Sequence, residues 1–193
     1  MILASNNAHK LTEFQAIFAD MGIEIISQRA AGCVFEIDET GETFEENAYL
    51  KAKAVTDALG CAAVADDSGL VVDALGGEPG VYSARYGPGH DASDADRYNY
   101  LLNKLGDEKN RSARFVCCIC CTMPDGTVLR SRGECEGEIM HGPKGDGGFG
   151  YDPVFKPDAV ERGMAELTPD EKNAISHRGK ALRLLAKKLE EII

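Results

Sequence analysis

The chain has 193 residues, 44% of them hydrophobic and 27% charged, which suits one globular domain with a sizeable core. Twenty-one Lys and Arg against 32 Asp and Glu give a formal charge of −11; a surface this acidic repels phosphate backbones and argues against a nucleic-acid partner. The apolar run at the start is too short for a secretion signal or a membrane span, and seven cysteines, four of them crowded between positions 117 and 121, are no secreted disulfide framework, so a cytoplasmic chain without a membrane partner is expected.

Ile2 to Ala4 reads as a short buried strand that runs into the polar turn Ser5-Asn6-Asn7. Leu11, Phe14, Ile17, Phe18 and Met21 recur at helical spacing and predict a helix over about 10–21, closed by Gly22. With a strand over 23–26, this β–α–β start indicates an α/β fold. Thr43-Phe-Glu-Glu46 has the spacing of a capping box and predicts a helix to about Leu59, stopped by Gly60. Ala62 to Ala65 predicts a small buried strand that delivers Asp66-Asp67-Ser68-Gly69 at its C-terminal end, where open α/β sheets bind ligands.

Gly76 to Gly80 reads as a loop, and Ser93 as the N-cap of a helix with Tyr98, Leu101, Leu102 and Leu105 inward and Gly106 as its stop. Strands over 114–123 and 127–139 flank Pro124-Asp125-Gly126, a hairpin signal. A glycine-rich loop fills 142–153. Thr168-Pro169-Asp170-Glu171 joins a capping box to a proline at the first helical position. The last helix begins near Ser176, with Ala181, Leu182, Leu185, Leu189 and Ile192 as its apolar stripe. No linker divides the chain, so residues 1–193 read as a single domain.

Five segments carry candidate chemistry. A helix start after Ser5-Asn6-Asn7 suits a phosphate, with Lys10 adding a full charge; an ordinary Ser/Asn cap explains the same residues. Asp66-Asp67 behind an apolar strand are costly unless a cation meets them, and they suit Mg²⁺; a solvated turn competes equally, and extended backbone sends the two to opposite faces. An acidic stretch, Glu36 to Glu46, could lend a second metal ligand. Phe149 and Tyr151 lie among glycines, where a ring could stack on a base or simply pack on the core. Lys172, His177 and Arg178 at or near helix starts point to a bound anion or to surface pairs with Asp170, Glu171 or Glu166. The cysteine run reads as apolar filler rather than a zinc site, and the four histidines (His9, His90, His141, His177) show no ligand spacing.

Taken together, Ser5-Asn-Asn-Ala-His-Lys10, Glu39-Thr-Gly41, Phe44-Glu-Glu-Asn-Ala48, Ala65-Asp-Asp-Ser-Gly-Leu70, Gly80-Val-Tyr-Ser-Ala-Arg85, Gly148-Phe-Gly-Tyr-Asp-Pro153 and Ser176-His-Arg178 resemble the Ham1-like inosine triphosphate pyrophosphatase family. The resemblance implies an elongated mixed β-sheet flanked by helices, two lobes with an active-site cleft, and a homodimer. It implies an Mg²⁺-dependent enzyme that hydrolyses ITP, dITP and XTP to the monophosphate and pyrophosphate. A nucleotide-binding sensor on the same scaffold is the alternative. By position, Asp67 would be the base and, with Glu39, a metal ligand. Ser5, Asn6, Asn7, Ala8, His9 and Lys10 would form the phosphate loop, with Ser68 beside the metal. Phe149, Gly150, Tyr151, Asp152, Lys172, His177 and Arg178 would take the base.

Overall fold

The computed structural model describes residues 1–89 and 91–192, and of Asp20 the backbone only; His90 lies outside the described residues. Six strands make one mixed sheet in the order β2-β1-β3-β4-β5-β6: β1 (Ile2–Leu3), β2 (Ile26–Ser27), β3 (Ala63–Val72), β4 (Ser112–Thr122), β5 (Val128–Ile139) and β6 (Phe155–Pro157). Strand β1 runs parallel to β2 and β3, and β5 antiparallel to β6. The helices are α1 (Ala8–Phe18), α2 (Phe44–Leu59), α3 (Asp94–Leu105), α4 (Pro169–Ile175) and α5 (His177–Glu190). No helix among the described residues is long and apolar enough to cross a membrane.

The chain forms two compact units. The first holds Met1–Asp67, Cys117–Gly133 and Arg178–Ile193; the second holds Ser68–Val116 and Glu134–His177. In the first unit the pleat sorts side chains onto two faces. Leu3 and Val64 point into a core with Phe14 and Phe18 of α1 and Leu182, Leu185 and Leu189 of α5. Their neighbours Ile2, Ala4, Ala63 and Ala65 point the other way, against Ala48, Ala52 and Val55 of α2. The cysteines follow the same rule. Cys117 and Cys121 join the first core and Cys120 the second, all as free thiols. The second unit packs Leu70, Leu101, Leu105, Phe115, Tyr151, Phe155 and Met164 into a core of its own.

The sequence signals hold at the helix ends. Thr43, Ser93 and Thr168 each cap a helix with a reciprocal carboxylate; Gly60 closes α2, and Gly22 the 3-10 turn Ala19–Met21 that follows α1, both in the left-handed conformation. Several boundaries differ from expectation. Helix α1 starts at Ala8 because Asn7 is its cap. The second strand falls at 26–27 rather than 23–26. Ile192 lies beyond α5, half exposed instead of extending its stripe. Strand β3 does not stop at Ala65 but runs through Asp66-Asp67-Ser68-Gly69 to Val72, so the two aspartates sit in mid-strand.

Candidate active site

Mid-strand placement makes both carboxylates buried, Asp66 at 2% and Asp67 at 7% exposure, which removes the solvated-turn reading. Alternation along β3 continues from Val64 and Ala65. Asp66 therefore joins the α1/α5 face and Asp67 the α2 face.

On the α1/α5 face, Lys10 Nζ lies 2.9 Å from Asp66 Oδ1, and Arg178 Nε donates to Oδ2 at 3.2 Å. Arg178 Nη1 also donates to Glu13 Oε2 at 2.5 Å. Burial opposes ionisation of Asp66, but Lys10 and Arg178, with help from Lys51, hold its carboxyl well below the usual carboxylate range. Arg178, at 3% exposure, thus has anionic partners within the chain. That satisfies the cation at the start of α5 without a bound anion, and it replaces the expected surface pairing.

On the α2 face, Asn47 Nδ2 donates to Asp67 Oδ2 at 3.1 Å. Lys51, one turn further along the helix, lies 3.5 Å from Asp67 Oδ1 and donates to Glu39 Oε1 at 2.5 Å. One ammonium therefore draws both expected metal ligands to a common point. Burial raises the Asp67 pKa and Glu39 adds to the effect, against the opposing pull of Lys51 and Asn47. Burial works against the Lys51 charge too, but Asp67, Asp66 and Glu39 outweigh it and raise its pKa. Among the described residues, no three His, Cys, Asp or Glu side chains gather as a metal cage.

The turn into α1 is capped from within. Ser5 Oγ accepts from Asn7 N–H at 3.1 Å, and Asn7 Oδ1 accepts from His9 and Lys10 N–H at 3.0 and 3.2 Å. Asn6 Oδ1 accepts from Arg29 N–H at 3.3 Å. The cap reading holds, and the exposed Asn6 to His9 edge leads to Lys10 beside Asp66.

In the second unit, Tyr151 is buried and donates through its hydroxyl to the Ser83 carbonyl at 2.8 Å. It is a core residue, so of the two loop aromatics only Phe149 keeps a partly open ring. Asp152 Oδ2 accepts from Phe149 N–H at 2.9 Å and from Lys172 Nζ at 2.8 Å. Lys172 stands 4.5 Å from the Phe149 ring centroid. Gly148 is required there: its φ is +71°, and a Cβ would meet Asp152 Oδ2 at 2.1 Å. Gly150 N–H donates to Asp94 Oδ2 at 2.7 Å. Lys172 lies in the last turn of α4, where a cation is favoured, so its helix position carries no sign of a missing anion. His177 is stacked on Phe115 at 4.8 Å and 13°, and Phe115 meets Phe155 edge-on at 4.6 Å. Ser68, half-buried, opens the second unit's share of β3.

The description "Ham1 family" belongs to a family model that matches residues 1–188. The chain belongs to this family. A Ham1 relative named dITP/XTP pyrophosphatase from Nostoc sp. is 47% identical across all of this chain and 95% of its own length. A protein of the same name from Streptomyces coelicolor is 46% identical across all of this chain and 98% of its own. The solved Ham1 protein of Coxiella burnetii superimposes with a TM-score of 0.91 at 45% identity, covering 98% of each chain. That of Staphylococcus aureus gives 0.90 at 45%, covering 98% of this chain and 97% of its own.

Within this Ham1 chain, sequence reasoning missed Lys51 and Glu13 and gave Asn47 no role. A usable sign existed. The buried stripe of α2 is Phe44, Asn47, Ala48, Lys51, Ala52, Val55 and Thr56, and a lysine and an asparagine four apart on a largely apolar stripe need partners.

Proposed function

We propose that this chain is an Mg²⁺-dependent pyrophosphohydrolase that converts ITP, dITP and XTP to nucleoside monophosphate and pyrophosphate, cleansing the nucleotide pool. The observation that carries the reading is the shared position of Glu39 and Asp67 on Lys51, 2.5 and 3.5 Å from one ammonium. The names of the relatives supply the substrate class.

Mg²⁺ takes hard oxygen donors and often uses one or two carboxylates together with substrate phosphates. Glu39 and Asp67 fit that demand and would hold it. When bound, the ion would neutralise charge on the phosphates. The remaining chemistry belongs to the chain. Asp67, buried and with its pKa raised, takes a proton from water as the water oxygen bonds to the α-phosphorus. The bond from the α-phosphorus to the α–β bridging oxygen breaks, and pyrophosphate leaves with its electron pair. Lys51, Lys10 and the start of α1 offset the charge that gathers on the leaving group.

The purine is assigned to Phe149, by stacking, and to donors from His177 or backbone N–H that meet an oxygen at C6. Adenine presents an amino group there and leaves such donors unpaired, a mismatch on the order of 10⁴-fold. Seven free thiols support a reducing, cytoplasmic setting, and the family resemblance supports a homodimer. The test is a panel of ribo- and deoxyribonucleoside triphosphates with MgCl₂, read by pyrophosphate release. ITP, dITP and XTP are expected to turn over well ahead of ATP. Release of orthophosphate, or binding of ITP without turnover, would overturn the reading.

A further inference from the structure

Asn47 is 1% exposed and uses both ends of its amide. Its Nδ2 donates to Asp67 Oδ2 at 3.1 Å, and its Oδ1 accepts from Gly41 N–H at 2.8 Å. The two bonds leave no choice of amide orientation, since only the nitrogen end can face a carboxylate. Gly41 stands two residues after Glu39. Its place is tight: a Cβ there would meet Asn47 Oδ1 and Glu46 Cβ, each at 2.7 Å. The reciprocal cap at the start of α2, with Glu46 Oε2 also accepting from Glu42 N–H at 2.8 Å, fixes the same stretch to the helix.

We infer that Asn47 is a positioning residue that sets the Glu39–Asp67 pair as a unit. It occupies Asp67 Oδ2 and so turns Oδ1 toward Lys51. Through Gly41 it holds the segment that presents Glu39 to the same ammonium. Neither carboxylate is near the other in sequence, and Asn47 bonds both to Asp67 and to the backbone of the Glu39 segment. This rests on the reading of Glu39 and Asp67 as the Mg²⁺ ligands. Groups that orient ligands in this way typically affect metal affinity or turnover by about 10–100-fold.

The experiment compares wild type with Asn47→Ala, Asn47→Asp and Val55→Ala. Val55 is fully buried on the same helix and bonds to nothing in the site, so it controls for loss of stability alone. The first readout uses the metal alone: the thermal midpoint against MgCl₂ without nucleotide, which reports affinity for the folded state. The second is kcat and KM for ITP. Asn47→Ala is expected to need about 10–100-fold more Mg²⁺ for the same midpoint shift, and to lose kcat by a similar factor with KM changed far less. Asn47→Asp keeps the acceptor for Gly41 but replaces the donor to Asp67 with a like charge; it is expected to lose kcat while retaining native circular dichroism. Val55→Ala is expected to melt lower with an unchanged Mg²⁺ response. Wild-type kcat and Mg²⁺ response in either Asn47 variant, or an equal loss in Val55→Ala, would overturn the inference. Failure of wild type to release pyrophosphate from ITP would instead refute the proposed activity, while the metal titration would still read the role of Asn47.

Discussion

Asp66 and Asp67 are chain neighbours, yet the two faces of the sheet treat them as opposite cases. On the α1/α5 face, Asp66 is surrounded by Lys10 and Arg178 and stays ionised far below the usual range. On the α2 face, Asp67 meets one ammonium, one amide and a second carboxylate, and burial prevails to raise its pKa. The first arrangement is a neutralised strut. The second holds a carboxylate whose charge is under-compensated, which is what a proton acceptor or a cation ligand requires. One residue of pleat separates a structural role from a chemical one.

The sharpest way to break that contrast is to exchange each carboxylate for its amide. Asp67→Asn should lower kcat for ITP by about 10³-fold or more, the scale of a lost general base, with no loss of folding stability at neutral pH. Retained turnover would remove Asp67 from the mechanism. Asp66→Asn should do the reverse first. It strands two cations and should cost about 3–5 kcal/mol of stability by urea unfolding. An unfolding midpoint equal to wild type would show that Glu13 alone satisfies Arg178.

The pH dependence carries opposite signs at the two positions. The depressed pKa of Asp66 contributes stability that is full above the ordinary aspartate value of about 3.9 and is lost as pH falls below it. The raised pKa of Asp67 contributes stability that is full below that value and is lost as pH rises through its folded pKa. Urea midpoints across this range should therefore find the Asp66→Asn defect largest at neutral pH and shrinking toward acid. Asp67→Asn should gain on wild type at neutral pH and lose that advantage in acid. Parallel profiles for the two variants would erase the distinction between the faces.

The smallest effect concerns the second unit, where the candidate residues are set by packing rather than charge. Phe115→Leu removes the ring beneath His177, an interaction of about 0.5–1.5 kcal/mol. It should raise KM for ITP by roughly 2–10-fold, with kcat nearly constant, in steady-state assays. An unchanged KM would separate His177 from base recognition.

Local signals in the sequence were readable and long-range ones were not. Thr43, Ser93 and Thr168 announce their helices because a cap needs only its next few residues. The end of β3 was misplaced because two aspartates look like the end of a buried strand. They stay inside because Arg178, 112 residues away in the chain, and Lys10 neutralise Asp66. The motif residues of the phosphate loop and of the base-binding set were named from resemblance, but their actual partners were not. Lys172 was read as a cation at or near a helix start when it bonds to Asp152; Lys51 went unnoticed, and Asn47, quoted within a matching motif, was given no role, on a stripe that alanines made look apolar.

The alternation of the cysteines has a practical side. Six of the seven thiols are buried, with Cys120 and Cys121 pushed up to about 11 and 12, whereas Cys61 is exposed just past Gly60, the cap of α2. A maleimide dye should enter the native protein at that one place, giving an optical reporter on the helix that bears Asn47 and Lys51 without any engineered handle.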